Sequence, residues 1–391
     1  MERALRSVSV LSAGVGAGHM RAAEAVAASL AQDASPPQVR VQDVLEHATT
    51  GFRAMYRDTY VAMAANTPRL VGWLYDRADA PWAERRYARM VERLALRSWM
   101  RRLLQDPPDA IVCTHFLPAS LVHHLRKRHG LRSSLTTVVT DLDVHGLWLD
   151  GACDRWCVAG TEAGEIVRRA GVPGHTVHVT GIPIAEAFRK LPTREAARRH
   201  LGIPLERPLI LFSTGGCCLG PVEQTFASLQ ELAGQATVVA ICGHNRTAHD
   251  RLQRMVPAGM GHALRVVGLT HEMHQWMAAA DLLVGKPGGL TSSEARAAGL
   301  PMVAIHPIPG QEERNLAHLL EWGAAIACHT PATLSWRVGR LLADPARMAS
   351  MRSAARGSAY PDAAASVAAV VRRAADPAHA IEPAAALDSA A

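Results

Sequence analysis

The sequence predicts an α/β protein of two domains, each a parallel sheet covered by helices. Short apolar runs alternate with helical stretches along most of the chain, the pattern of a sheet built from βα units. Several of these runs end in glycine-rich turns. The length of 391 residues exceeds one ordinary domain and fits two of roughly 150–200 residues.

The elements follow in order. Residues 7–12 (SVSVLS) form a β-rich run, 13–19 (AGVGAGH) a turn, and 21–32 carry Ala, Val and Leu at helical spacing. Further strands are expected at 39–41, 110–113, 136–139, 155–158 and 178–179. A second series begins near Pro208, with strands expected at 209–213, 237–242, 264–267, 282–284 and 302–305. The interval 190–207 is polar and holds Pro192 and Pro204, which places the domain junction there. After Pro361 an Ala/Val-rich helix is expected over 361–375, and 376–391 reads as a disordered Ala/Pro-rich tail.

Composition narrows the class. Hydrophobic residues make up 49% and charged residues 20%, so large cores can form. No run of about 18 apolar residues occurs, and no spanning helix is expected. The first apolar run stops at a glycine turn, as a buried strand does and a signal peptide does not; a cytoplasmic location is the expectation. Cys113, Cys153, Cys157, Cys217, Cys218, Cys242 and Cys328 are scattered without a CxxC pair. Buried reduced thiols are expected, and no zinc. The net charge of +7 favours an anionic partner: a nucleotide phosphate, a membrane surface or nucleic acid. No helix-turn-helix, zinc-finger or aromatic RNA-binding pattern is visible, so nucleic acid is not expected.

Two loops carry the chemistry. In residues 285–294 (GKPGGLTSSE), Gly288 and Gly289 let backbone approach a ligand, and the following helix start offers N–H groups to a phosphate. Thr291, Ser292 and Ser293 suit capping hydroxyls, and Glu294, expected in the first turn, suits a ribose diol. The same residues equally suit a capped helix after a tight turn. Residues 306–315 (HPIPGQEERN) follow another strand and deliver Gln311, Glu312 and Asn315, whose amide and carboxylate groups suit sugar hydroxyls. Polar loops after successive strands of one sheet converge on its carboxyl-end crevice.

The pattern GKPGGLTSSEARAAGLPMVAIHPIPGQEERN resembles the donor-site signature of MurG-like (GT28) glycosyltransferases. It is closest to the monogalactosyldiacylglycerol synthase and processive diacylglycerol glucosyltransferase branch. SAGVGAGHMRAAEA, VVTDLDVHGLWLDGACDRWCVAGTEA, HVTGIPI and VVGLTHEMHQWMAAADLLVGKPGG extend the likeness, in order, over residues 7–345. The resemblance implies a GT-B fold: two Rossmann-like domains whose parallel sheets face a central cleft. Residues 1–195 would bind the acceptor and 205–360 the UDP-sugar, with inversion at the anomeric carbon and no cofactor or catalytic metal. Gly288, Gly289, Leu290 and Thr291 would lie at the diphosphate, Glu294 at the ribose, and Gln311, Glu312 and Asn315 at the sugar. Gly268, Leu269 and Thr270, with residues 242–245 (CGHN), would flank the uracil. One departure is STGGCCLGP, where Cys217 and Cys218 add bulk to a loop usually rich in glycine.

On the acceptor side, His19 follows Gly16 and Gly18 at a helix start; alone it reads as a surface histidine, and with the resemblance it suits a general base or a phosphate contact. Asp141 and Asp143 resemble the DxD metal motif of other glycosyltransferases, but a cap or cleft-wall role fits the GT-B expectation better. Asp141 and His145 join His19 as catalytic candidates; His115 is a weaker one. Residues 52–102 concentrate Tyr56, Tyr60, Tyr75, Tyr87, Trp73, Trp82 and Trp99 with arginines from Arg85 to Arg102. That composition suits peripheral contact with the inner, anionic face of a membrane, or else an ordinary solvated arginine face over a core helix. The expected function is transfer of a hexose from a UDP-sugar to a lipid hydroxyl, namely that of diacylglycerol. A UDP-sugar epimerase, a MurG-like transferase acting on another acceptor, and a non-catalytic nucleotide-sugar binder are the alternatives.

Overall fold

The computed structural model describes residues 5–375 apart from 34, 59–61, 64–66, 80–85, 214 and 216–219. Tyr60, Trp82, Arg85, Cys217, Cys218 and the 376–391 tail lie outside the described residues. The described chain forms two compact units. Among the described residues, one draws on those within 5–63, 69–186 and 361–375, the other on 67–68 and those within 187–360.

The first unit holds β1 (Ser7–Ser12), β2 (Gln38–Asp43), β3 (Ala110–Cys113), β4 (Ser134–Val138), β5 (Arg155–Val158) and β6 (Val177–Val179). They form one parallel sheet in the order β2-β1-β3-β4-β5-β6. The second unit repeats the plan with β7 (Leu209–Ser213), β8 (Thr237–Ile241), β9 (Leu264–Val267), β10 (Leu282–Gly285), β11 (Met302–Ile305) and β12 (Ala325–Cys328). Its order is β12-β11-β10-β7-β8-β9, again parallel. Central strands such as AIVC, LILFS and MVAI are apolar without alternation because helices cover both faces, and every one of their residues is buried. Strand β12 escapes the sequence reading: AIAC is four residues long, alanine-rich and at the sheet edge.

The terminal helix Ala363–Ala375 is not an appendage. Val367, Ala368, Val370 and Val371 are buried with Val8, Val10, Val26 and Val138 of the first unit. Each buried valine contributes roughly 1.5–3 kcal/mol, and the Arg372 guanidinium grips the Asp33 carboxylate beside them.

The main segment of the second unit begins at Ala187, just before the interval 190–207 where the junction is expected. A buried charge cluster explains the shift. In the helix Arg194–Leu201, Arg198 is fully buried and donates to the carbonyls of Ala279, Pro204, Leu205 and Arg207. It also meets Asp281 at 2.6 Å, and Arg194 and Arg352 reach the same carboxylate at 3.0 and 3.1 Å. Burial opposes ionisation of Asp281, but the Arg194 hydrogen bond, the Leu209 amide and the arginine charges hold its carboxyl below the usual range. The polarity of this stretch is thus consumed inside the second unit.

Candidate functional site

Open parallel sheets bind ligands outside the carboxyl ends of their strands, where strand order reverses. The reversal falls between β1 and β3 in the first sheet and between β7 and β10 in the second.

At the first reversal, β1 runs into the turn at Gly14. The Gly14 N–H donates to Asp43 Oδ1 at 3.0 Å, and a Cβ there would collide with that carboxylate. Only glycine fits. The helix Ala17–Leu30 then starts with no side-chain cap, and His19 stands half-buried in its first turn. His19 Nδ1 lies 2.6 Å from Thr140 Oγ1, beyond the end of β4. The Thr140 hydroxyl donates to the Thr114 carbonyl at 3.3 Å, and the Thr114 hydroxyl donates to the His19 carbonyl at 3.0 Å. His115 stands edge-on to His19, ring centroids 4.8 Å apart, with Trp148 6.3 Å from both. Burial pulls the His19 pKa down, opposed by the Asp141 charge and a backbone hydrogen bond at Thr114.

The other polar groups here are committed. His115 Nδ1 accepts the Leu117 N–H at 3.1 Å, and burial with the neighbouring His19 drives its pKa well down. His145 Nδ1 accepts from Leu147 N at 3.1 Å while Nε2 donates to the Tyr75 carbonyl at 2.7 Å. Its ring is therefore a tether between the loop after β4 and the helix Pro68–Arg77. Asp141 Oδ2 accepts the Trp148 indole N–H at 3.0 Å, and Asp143 Oδ1 accepts the Val144 N–H at 2.8 Å.

At the second reversal, the Gly285 backbone comes so close to β7 that a Cβ would lie 3.0 Å from the Ser213 carbonyl. A small pocket opens there, with Ser213, Gly220, Thr225, Lys286 and His306 in its lining. His306 adopts φ 44, uncommon for a residue with a side chain. Burial and the Lys286 charge lower its pKa.

The helix Gly289–Ala297 starts directly after the extended Gly288 and has no side-chain cap. This corrects two expectations. Thr291, Ser292 and Ser293 lie inside the helix instead of capping it, and Glu294 sits buried in the second turn, 4% exposed, instead of in the first. Gly289 and Leu290 are buried and Thr291 half-buried.

The loop after β11 folds back on this helix start. Glu312 Oε2 accepts the Ile308 N–H at 2.7 Å, and its Oε1 lies 3.7 Å from where a Gly288 Cβ would stand. Gly310 has φ 88, and its N–H is capped by Glu313 at 3.1 Å. Gln311 is half-buried in the first turn of the helix Gln311–Glu321, whereas Asn315 is fully buried in the second.

Gly268 and the exposed Leu269 follow β9, three strands away from β10. At about 4.8 Å per strand that is roughly 14 Å, so they and Gly288 cannot touch the same small group. Between them, Asn245 caps the helix Arg246–Met255 through Ala248 N at 2.8 Å.

The aromatic and basic segment resolves into two kinds of residue. Trp99 is core, its indole donating to Gln42 Oε1 at 3.1 Å, and Tyr56 stacks on Phe52. Arg89 is engaged by Asp150. The helix Arg86–Ala95 instead exposes Tyr87, Met90, Val91 and Leu94, at one-turn spacing, with Tyr87 85% and Leu94 65% accessible. Trp73 is 56% exposed on Pro68–Arg77. Sequence reasoning stressed aromatics and arginines; the exposed feature is an apolar stripe.

Two six-stranded parallel sheets, each with a loop-lined reversal point, are the architecture of the GT-B fold. Solved structures agree on the fold. Acinetobacter baumannii MurG superposes with a TM-score of 0.60 at 21% identity, over 94% of this chain and 99% of that one. The S. aureus MnaA–UDP co-structure gives 0.62 at 12% identity, over 92% and 94%. Residues 19–184 match the family model for monogalactosyldiacylglycerol (MGDG) synthase, and 221–367 that for the glycosyltransferase family 28 C-terminal domain. A processive diacylglycerol beta-glucosyltransferase of Staphylococcus saprophyticus is 30% identical over 269 residues, 68% of this chain and 67% of the relative. One of the same name from Bacillus cytotoxicus is 28% identical over 76% of this chain and 74% of the relative. The chain belongs to glycosyltransferase family 28, in its MGDG synthase branch.

Sequence reasoning missed Thr114, Thr140, Trp148, Lys286 and His306. Thr114, Thr140 and His306 directly follow expected strands and Lys286 follows one a residue later, which is the one local signal that would have found them.

Proposed function

We propose that this glycosyltransferase moves a hexose from a UDP-sugar to the hydroxyl of diacylglycerol, inverting the anomeric carbon, with His19 as general base. The supporting observation is the commitment of the three imidazoles. His115 and His145 each give the Nδ1 lone pair to a backbone N–H, and His145 also donates from Nε2. His19 Nδ1 instead meets a side-chain hydroxyl, that of Thr140, and this ring lies at the sheet reversal. A lowered pKa keeps it neutral, hence able to accept a proton, at pH 7. Asp141 favours the imidazolium that results. A single displacement by the acceptor oxygen inverts the centre.

The uncapped helix start at Gly288–Gly289, with Leu290 and Thr291, suits the donor diphosphate. Glu294 is assigned to the ribose, Gln311, Glu312 and Asn315 to the sugar, and Gly268 and Leu269 to the base. The roughly 14 Å from β10 to β9 suits an elongated ligand of this kind. The acceptor follows from the names of the relatives. No helix among the described residues is long and apolar enough to cross a membrane. The apolar stripe 87–94, with Arg97, Arg101 and Arg102 exposed beyond it, supports peripheral contact with anionic lipid.

Purified protein incubated with radiolabelled UDP-glucose, UDP-galactose or UDP-N-acetylglucosamine and diacylglycerol in mixed micelles should yield a labelled β-linked glycolipid and free UDP. Sugar interconversion without a labelled lipid would indicate an epimerase and overturn the reading.

A further inference from the structure

The geometry points to Thr140 as a positioning residue that fixes which nitrogen of His19 takes the acceptor proton. The inference rests on His19 being the base and adds how the protein makes one nitrogen of its ring available.

A neutral imidazole carries one proton, and the hydrogen bond at one nitrogen decides where it sits. His19 Nδ1 faces Thr140 Oγ1 at 2.6 Å, and the Thr140 side chain is buried. A hydroxyl has one proton to give. Thr140 gives its proton to the Thr114 carbonyl, which can only accept. Toward His19 it therefore offers a lone pair, so Nδ1 carries the hydrogen and Nε2 the free pair. The Thr114 hydroxyl, donating to the His19 carbonyl at 3.0 Å, fixes the first helical turn from the other side.

The three residues come from three neighbouring strands. His19 follows β1, Thr114 follows β3 and Thr140 follows β4, and β1, β3 and β4 are adjacent in the sheet. The tautomer is thus set by the sheet itself, not by a flexible neighbour. In the transfer, the acceptor O–H proton passes to Nε2 as the oxygen pair forms the new C–O bond. The bond from the anomeric carbon to the diphosphate breaks with its pair going to UDP. Nδ1–H stays on Thr140 throughout, and the imidazolium later releases the Nε2 proton to solvent.

The test combines a spectroscopic and a kinetic arm on full-length protein. Imidazole-15N-labelled wild type, with His19 assigned by difference against His19→Asn, should show Nδ1 protonated and Nε2 bare. Thr140→Val should shift His19 toward the other tautomer, whereas Thr140→Ser should keep the wild-type one. Losing a tautomer-setting carboxylate costs about 10⁴-fold in a serine protease; for this neutral hydroxyl the expected loss in single-turnover rate is about ten- to hundredfold. The donor KM should change little, Thr140→Ser should recover most of the rate, and Thr140→Val should cost nothing further in a His19→Ala background. A wild-type His19 protonated at Nε2 overturns the proposal whether or not Thr140→Val folds. A Thr140→Val enzyme with wild-type rate, beside a crippled His19→Ala, overturns it while leaving the base assignment intact. If His19→Ala itself keeps wild-type rate, the base assignment falls, and the proposal with it.

Discussion

The two sheets reverse strand order in the same way, yet their reversal points are furnished with opposite chemistry. At the first stand His19, His115, Trp148 and Asp141, rings and a carboxylate held by side-chain hydrogen bonds. At the second, beside Lys286 and His306, stand Gly285, Gly288, Gly289 and a proline-braced loop, where backbone and helix starts do most of the presenting. A titratable ring suits a step in which a proton moves. Backbone N–H groups suit an anion whose charge does not change with pH. One topology therefore serves two tasks, and the furnishing of each reversal point tells them apart.

The largest expected effect removes the scaffold of the second point without touching the loops. Asp281→Asn leaves Arg194, Arg198 and Arg352 around an uncharged group, and breaking a buried pair typically costs about 3–5 kcal/mol. Because the native carboxyl titrates below its unfolded value, this stability is present above about pH 4 and is lost as pH falls through the native pKa. Urea unfolding of wild type and Asp281→Asn should therefore differ strongly at pH 7 and converge in acid. Equal midpoints at pH 7 would show that the cluster is not what holds this unit.

A smaller effect sharpens the binding side. Glu294→Gln should weaken UDP affinity about tenfold, the value of one charge-assisted hydrogen bond of about 1.5–3 kcal/mol at its lower end. The single-turnover rate at saturating donor should hold. Calorimetry showing unchanged affinity would remove Glu294 from the donor site.

A further effect concerns neither reversal point. Replacing Arg97, Arg101 and Arg102 with Gln should reduce sedimentation with anionic vesicles, by about 1 kcal/mol per charge near the surface. Replacing Tyr87 and Leu94 with Ser should weaken binding at high salt as well, where the arginines are screened. Wild type that ignores anionic vesicles at low salt would make the stripe an ordinary solvated face.

Much of this was legible in the chain because it is local. Eleven of the twelve strands read as apolar runs, and the loops that carry Gly288 and Glu312 lie where turns after strands put them. What escaped depends on distant partners. The 363–375 helix reads as a separate element until Val367 and Val371 meet β1 and β4. Glu294 reads as a first-turn residue because nothing local says that the helix starts at Gly289 and carries it inward. His145 and His19 look alike in sequence, each after a glycine- or aspartate-rich turn; only the Tyr75 and Leu147 contacts of one, and the Thr140 contact of the other, separate tether from base.

The division of labour is tested most directly on His19→Ala, by measuring UDP affinity in calorimetry and single-turnover transfer on the same preparation. Base catalysis by a positioned side chain contributes about 10²–10⁴-fold, so the transfer rate should fall at least a hundredfold while UDP affinity stays within about twofold of wild type. A loss of affinity that matches the loss of rate would mean that His19 grips the diphosphate, and the contrast between the two reversal points would be contradicted.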